Sequence, residues 1–158
     1  MSKRITIIDF VERYTKKFAK KIFLSEKIDG KWQETTFAQT REMAHVLGAG
    51  LLSMGMEKGD KVALLSEGRS AWVLGELGIL YAGGIDVPLS INLEEGSDLI
   101  FRIVHSESKY VMTSAYQLPK ILRILDSIPA VEKIFVFDNT AYDLKDEELH
   151  PKIVKLSD

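Results

Sequence analysis

Residues 59–89 read GDKVALLSEGRSAWVLGELGILYAGGIDVPL. After Gly59-Asp60, the apolar run from Val62 to Ser66 has the pattern of a strand buried on both faces. Ser70 is placed to cap a helix running through Ala82. Its apolar residues Trp72, Val73, Leu77, Ile79 and Leu80 spread round much of the circumference, so the helix is expected to be well buried. Gly83-Gly84 ends it, and Ile85 to Leu89 forms the next strand, with Pro88 near its exit. Strand, helix and strand in 31 residues leave one economical solution, a right-handed crossover between parallel neighbours.

The pattern continues on the C-terminal side. Asn92 and Glu95 are spaced as a capping pair, and Leu99, Ile100, Ile103 and Val104 follow at helical spacing. Tyr110 to Thr113 is a short strand. Pro119 suits the first turn of a helix lined by Leu118, Ile121, Leu122 and Leu125, with Pro129 beyond its end. Ile134 to Phe137 is a fourth strand. Asp138 to His150 is polar and acidic and reads as a loop, and Ile153 to Leu156 begins a fifth strand.

On the N-terminal side, Ile8, Val11, Tyr14 or Thr15, and Phe18 mark an amphipathic helix. Arg13, Lys16, Lys17, Lys20 and Lys21 give it a basic side. Such a side is either a solvated face or a point of contact with a membrane surface. Ile22-Phe23-Leu24 leads to Ile28-Asp29-Gly30-Lys31-Trp32, where Asp-Gly supplies the positive φ of a hairpin turn. Thr36 and Gln39 fit a capping box. Met43, Ala44, Leu47, Leu51 and Met54 then hold one apolar stripe, and Gly55 sits where a helix ends in the left-handed conformation.

The chain has 158 residues, 46% hydrophobic and 28% charged, with a net charge of −2 and no cysteine. Chains this long bury roughly 70% of their unfolded surface and need no staples. The missing cysteines exclude disulfides, thiolate metal sites and cysteine nucleophiles, and the charge excludes a general nucleic-acid binder. No apolar run approaches the ~18 residues of a membrane span. Asp9 and Glu12 interrupt the apolar stretch after Met1-Ser2-Lys3-Arg4, so a secretory leader is not expected and a cytoplasmic location is. The division expected is residues 1–36 as helix plus hairpin and 37–158 as the α/β sheet part of one incomplete subdomain.

Catalytic patterns are scarce. Gly48-Ala49-Gly50 lies inside a helical pattern rather than after a strand, so close helix packing explains it better than a phosphate loop. His45, His105 and His150 have no ligand-like spacing. His105-Ser106-Glu107 matches half of a zinc-deaminase motif whose cysteines are missing. There is no Gly-x-Ser-x-Gly elbow. Glu94-Glu95 reads as a helix start and Glu147-Glu148 as part of a solvated loop. In open parallel sheets, ligands bind beyond the carboxyl ends of the strands. Here that rim comprises Ser66-Glu67-Gly68, Ser90-Ile91-Asn92 and Ser114-Ala115, and the competing explanation is plain turn and cap chemistry.

The block 59–89 closely resembles the N-terminal region of AMP-forming acyl-CoA synthetases, in the adenylate-forming superfamily. It has Gly-Asp-x-Val, an apolar strand, Ser-Glu before the turn, Trp72, Ala82-Gly83-Gly84 and Val87-Pro88-Leu89. Ser-Glu together with Trp is most similar to the long-chain fatty acid branch. Trp32 to Phe37, Ser106 to Val111 and Val131 to Asp138 extend the likeness over residues 8–138. Gly68 stands where the family usually has Asn, and Ser90-Ile91-Asn92 where long-chain members often have Tyr-Pro-Thr.

The resemblance implies an enzyme that joins a fatty acid to ATP, giving an acyl-adenylate and pyrophosphate, and then passes the acyl group to coenzyme A with magnesium as cofactor. The family's Ser/Thr/Gly-rich loop ending in Pro-Lys-Gly, its acidic motif and its C-terminal lysine are not found here. No catalytic, cofactor-binding or metal residue is therefore carried over, and the chain alone is expected to be inactive, to bind no cofactor and to form homodimers through exposed apolar surface. The alternative is a stand-alone flavodoxin-like binding or dimerisation module.

Overall fold

The structure is a computed structural model that describes residues 5–137 and 150–156. In chain order the elements are α1 (Ile7–Phe18), β1 (Ile22–Ile28), β2 (Lys31–Thr36), α2 (Phe37–Ser53), β3 (Lys61–Leu65), α3 (Ser70–Tyr81), β4 (Ile85–Leu89), α4 (Ser97–Ser106), β5 (Tyr110–Thr113), α5 (Leu118–Arg123), a 3₁₀ turn at Leu125–Ser127, β6 (Lys133–Val136) and β7 (Ile153–Lys155). This is a mixed α/β chain. β1 and β2 form an antiparallel hairpin, and the other strands form a parallel sheet in the order β4-β3-β5-β6-β7. The backbone groups into two compact units, Met1–Glu57 with Arg69–Gly83, and Lys58–Gly68 with Gly84–Asp158. α2 and α3 thus group with the helix and hairpin, rather than the chain dividing at residue 37.

In the first unit, local signals set the ends of the elements. Thr6 and Asp9 cap α1 reciprocally: the Asp9 amide donates to Thr6 Oγ1 at 3.1 Å and the Thr6 amide to Asp9 Oδ2 at 2.9 Å. Lys16 and Lys17 occupy the last turn of α1, where the helix dipole favours cations. Lys20 and Lys21 lie past the helix end, so the basic side is shorter than the sequence pattern suggests. Asp29 (φ 50°) and Gly30 (φ 78°) make the hairpin turn. Thr36 and Gln39 form the expected box at the start of α2.

Two sequence expectations are corrected in this unit. The buried face of α2 is Thr40, Ala44, Gly48 and Leu51, whereas Met43 is exposed. The reason is the approach of α3: a Cβ built on Gly48 would lie 2.9 Å from the Gly78 carbonyl oxygen and 3.1 Å from Tyr81 Cβ. Small residues face the neighbouring helix, and the longer Met43 points away. Ser70 does not cap α3 with its hydroxyl. It is the first helical residue, and its amide donates to the Glu26 carboxylate on β1 at 3.0 Å. Trp72 is only half buried.

In the second unit, Ala63 and Leu65, Val111, and Ile134 and Val136 project to one side of the sheet and form one core with Leu99 and Ile103 of α4 and Leu118 and Ile121 of α5. The period of two along each strand and of three to four along each helix produces that match. α4 starts at Ser97, after Gly96, and not at the Asn92–Glu95 pair. The Asn92 amide is taken by Ser90 Oγ at 3.2 Å, and Glu95 is drawn to Arg123 of α5, so the expected cap dissolves into a turn. β7 is present and pairs in parallel with β6. The loop expected over Asp138–His150, including Glu147-Glu148, lies outside the described residues up to position 149, as do Met1-Ser2-Lys3-Arg4.

Candidate functional site

In the second unit the chain leaves β3 for β4 on one side and returns to β5 on the other. The strand order therefore reverses between β3 and β5, and a crevice at the carboxyl ends of two such strands is where open α/β sheets hold ligands. Thr113 Oγ1 donates to the Leu65 carbonyl at 2.8 Å, tying the two strand ends together. The Gln117 amide N–H donates to Ser114 Oγ at 3.2 Å. Gln117 Nε2 then reaches across and donates to Glu67 Oε1 at 2.6 Å. Gln117 is 4% exposed, and its Oε1 has no hydrogen-bond partner.

The remaining rim residues serve the backbone. Ser66 Oγ donates to the Glu67 carbonyl at 3.2 Å. Lys120 Nζ donates to the Ile91 carbonyl at 2.5 Å, and Arg123 forks onto the Glu95 carboxylate. Arg123 holds the Glu95 carboxyl below its ordinary range. Ser66 and Ser114 each have a structural partner and neither faces a histidine, so the rim offers hydrogen bonds to a ligand but no paired nucleophile and base. Gln117 was not legible in the sequence; its only signal was its place two residues before the helix-starting Pro119.

Each histidine has its own partners. His105 stacks on Phe101 with ring centroids 5.1 Å apart, and Glu107, two residues on, is held by Lys61 at 2.7 Å. His150 Nδ1 accepts from the Lys152 amide. His45 joins a polar cluster in the first unit that sequence reasoning missed. There Glu12 Oε1 accepts from Arg41 Nε at 2.6 Å and Tyr81 OH at 2.9 Å, and lies 3.3 Å from His45 Nε2. Hydrogen bonding from Arg41 leads in pulling the Glu12 carboxyl down to about 2. Burial, then the neighbouring carboxylate, pushes the Tyr81 phenol up. Glu12 precedes these partners by 29 to 69 positions, so no local pattern announces the cluster.

Among the described residues, no three His, Asp or Glu side chains are grouped to hold a metal ion, and none of the described loops combines the glycines and lysine that cradle phosphates. Among the described residues no side chains are assigned to magnesium or to a nucleotide phosphate, and no reaction step is placed on them. No helix among the described residues is long and apolar enough to cross a membrane.

A family model described as AMP-binding enzyme matches residues 11–155. Among curated proteins, the chain is 22% identical over 134 residues to a long-chain-fatty-acid–CoA ligase from Xenopus laevis, covering 84% of this chain and 18% of that protein. It is 29% identical over 126 residues to 4-hydroxybutyrate–CoA ligase 2 from Metallosphaera sedula, covering 80% and 22%. Among solved structures, it superimposes on the anthranilate CoA ligase AuaEII, in complex with anthranoyl-AMP, with a TM-score of 0.79 and 24% identity over 91% of this chain and 27% of that one. The chain thus spans about a fifth of the length of these curated relatives.

Proposed function

The chain belongs to the AMP-binding enzyme family of adenylate-forming acyl-CoA ligases, and on that premise we propose that it is the N-terminal portion of a long-chain fatty acid–CoA ligase. The whole enzyme joins the fatty acid carboxylate to ATP with magnesium, releasing pyrophosphate, and passes the acyl group from the acyl-adenylate to the thiol of coenzyme A. The family match across residues 11–155 carries this reading. Ser66-Glu67 before the turn and Trp72 after it favour the long-chain branch, as do relatives named for that substrate. Within the ligase this portion is a scaffold: β3, β4 and β5 set the carboxyl rim, and the chemistry belongs to groups not present among the described residues.

ATP–pyrophosphate exchange tests it, with palmitate and 4-hydroxybutyrate as competing acids. The 158-residue chain is expected to give no exchange, and the same chain extended to its relatives' length to give exchange favouring palmitate. Exchange by the chain alone overturns the scaffold reading, and a preference for 4-hydroxybutyrate overturns the long-chain reading.

One observation favours a second reading, a free-standing flavodoxin-like module. With β3 taken as the first strand, the sheet order is that of doubly wound flavodoxin-like folds. A stop codon directly after Asp158 in the gene supports the module; an open frame reaching a Pro-Lys-Gly loop supports the ligase.

Homodimers and contact with a membrane surface, at a cytoplasmic site of action, belong to the same proposal. Ile7, Ile22 and Trp32 are exposed, which supports the first, and Lys16 and Lys17 in the last turn of α1 support the second. Sedimentation velocity across a concentration range reads the first, and flotation with anionic vesicles reads the second. A strict monomer, or a chain that stays below the vesicles, removes the corresponding claim.

A further inference from the structure

α1 has an inward face and an outward one. Ile8 and Val11 are half buried and Thr15 is buried. At 3.6 residues per turn, Phe10, Arg13, Tyr14 and Lys17 share a different stripe, and all four are exposed. A stripe that faces water is ordinarily polar. Here Phe10 and Tyr14 are 45% and 41% exposed, with ring centroids 6.2 Å apart, and Ile7, one turn earlier, is 55% exposed. The cations between the rings are not neutralised. Among the described residues neither Arg13 nor Lys17 forms an ion pair, and Lys17 Nζ lies 5.0 Å from the Phe18 ring centroid. The acids of α1 are engaged elsewhere: Asp9 closes the N-terminal cap, and Glu12 is held by Arg41 and Tyr81. Charge along the chain divides in the same sense. Residues 1–36 carry nine Lys and Arg against five Asp and Glu, a net +4 in a chain of −2, so residues 37–158 carry −6.

We propose that this stripe seats the chain on an anionic phospholipid surface. α1 lies parallel to the surface, Ile7, Phe10 and Tyr14 enter the headgroup layer, and Arg13 and Lys17 pair with lipid phosphates. The inference rests on the membrane contact proposed above and names its face and its lipid. Exposed apolar side chains beside unneutralised cations are the combination that interfacial helices use. Aromatic rings settle at headgroup depth, and Arg and Lys lay their aliphatic stems along the apolar layer while their charges stay with the phosphates. Each basic residue so placed strengthens binding about fivefold. The exposed isoleucines select lipid over a nucleic-acid strand, because a base stacks on a ring and gains nothing comparable from Ile5 or Ile7. The acidic remainder of the chain is repelled by the same surface, which confines contact to the basic segment.

The test measures partition of the 158-residue chain onto vesicles of phosphatidylcholine, alone or with a quarter phosphatidylglycerol, by vesicle sedimentation. The mixed vesicles are expected to bind it more tightly. Arg13→Gln/Lys17→Gln should weaken that binding about thirtyfold, two fivefold factors. Lys58→Gln/Arg102→Gln removes the same charge from exposed positions of the second unit and should change it less than about threefold. Phe10→Trp should show more quenching by brominated lipid than Trp32 and Trp72 give in the unaltered chain. Equal loss in the two double variants, no added quenching, or tighter binding to single-stranded oligothymidine than to the mixed vesicles overturns the proposal. Equal partition onto both vesicles removes the face and lipid assigned here, whereas no binding to either removes the membrane contact itself. The glutamine substitutions lie on the surface and leave the core intact. A failed exchange assay for the ligase leaves the result unaffected, since neither acid nor ATP is present.

Discussion

Replacing Gly48 by Ala and, separately, Gly50 by Ala adds the same methyl group to the same helix two residues apart. At Gly50 the new Cβ meets nothing within 4 Å, so the change only removes backbone freedom and is expected to stabilise by about 0.5–1 kcal/mol. At Gly48 it lands 2.9 Å from the Gly78 carbonyl oxygen, 3.1 Å from Tyr81 Cβ and 3.3 Å from the Ala82 amide nitrogen. The first and last of these are backbone atoms of the α3 region and cannot rotate aside. Unstrained carbon contacts lie near 3.5–4.0 Å, so α3 must retreat by several tenths of an ångström. Overpacking of this kind costs about 1–3 kcal/mol, against the same ~1 kcal/mol helix gain. Gly48→Ala should therefore fall below Gly50→Ala by about 1–3 kcal/mol. Urea unfolding followed by tryptophan fluorescence reads this directly, because Trp32 and Trp72 are the only two tryptophans and both belong to the first unit. An unchanged m-value is required for the comparison. If Gly48→Ala is as stable as Gly50→Ala, the α2–α3 contact is not as close as described and the packing argument fails.

Three other outcomes follow from single contacts. Gly78→Ala meets the Leu47 side chain at 2.7 Å, so its loss in urea stability should shrink when Leu47→Ala is combined with it, and strictly additive effects would contradict a direct clash. Thr36→Ala removes one half of the α2 capping box and should cost about 1 kcal/mol by the same assay, with a cost near zero counting against the cap. Held by Arg41, the Glu12 carboxyl titrates at about 2, below its ordinary value of 4.5. Its contribution is present above the unfolded value and is lost as pH falls from about 4.5 towards 2. Glu12→Gln should flatten that acid limb of the stability curve, and an unchanged slope between the two variants over this window would remove Glu12 from the account.

The elements legible in the sequence are those whose partners lie a few positions away. Asp29-Gly30 carries its turn in its own φ values, Thr36 and Gln39 cap each other across three residues, and the strands β3 to β7 announce themselves by short apolar runs. The misread positions have remote partners. Ser70 looks like a cap, but its amide is satisfied by Glu26, 44 residues earlier. Glu95 looks like half of a capping pair, but Arg123, 28 residues later, claims it. Met43 fits an apolar stripe, but the close approach of Gly78 selects Thr40 and Gly48 for the buried face. The same limit hides Gln117 beside Glu67, 50 residues away.

The block that identifies the family is built differently from a site. Gly83 has φ 80° at the end of α3, Pro88 lies in β4, and Gly78 lets α2 approach; these residues act on the backbone, which has no preference for one acid over another. Their roles concern the backbone of the crossover between β3 and β4 and carry no information about an acid. Relatives named for a long-chain acid and for 4-hydroxybutyrate each match four fifths or more of the chain. The substrate question thus turns on side chains that line the acid, and the exchange assay with two acids addresses it where further comparison of the scaffold does not.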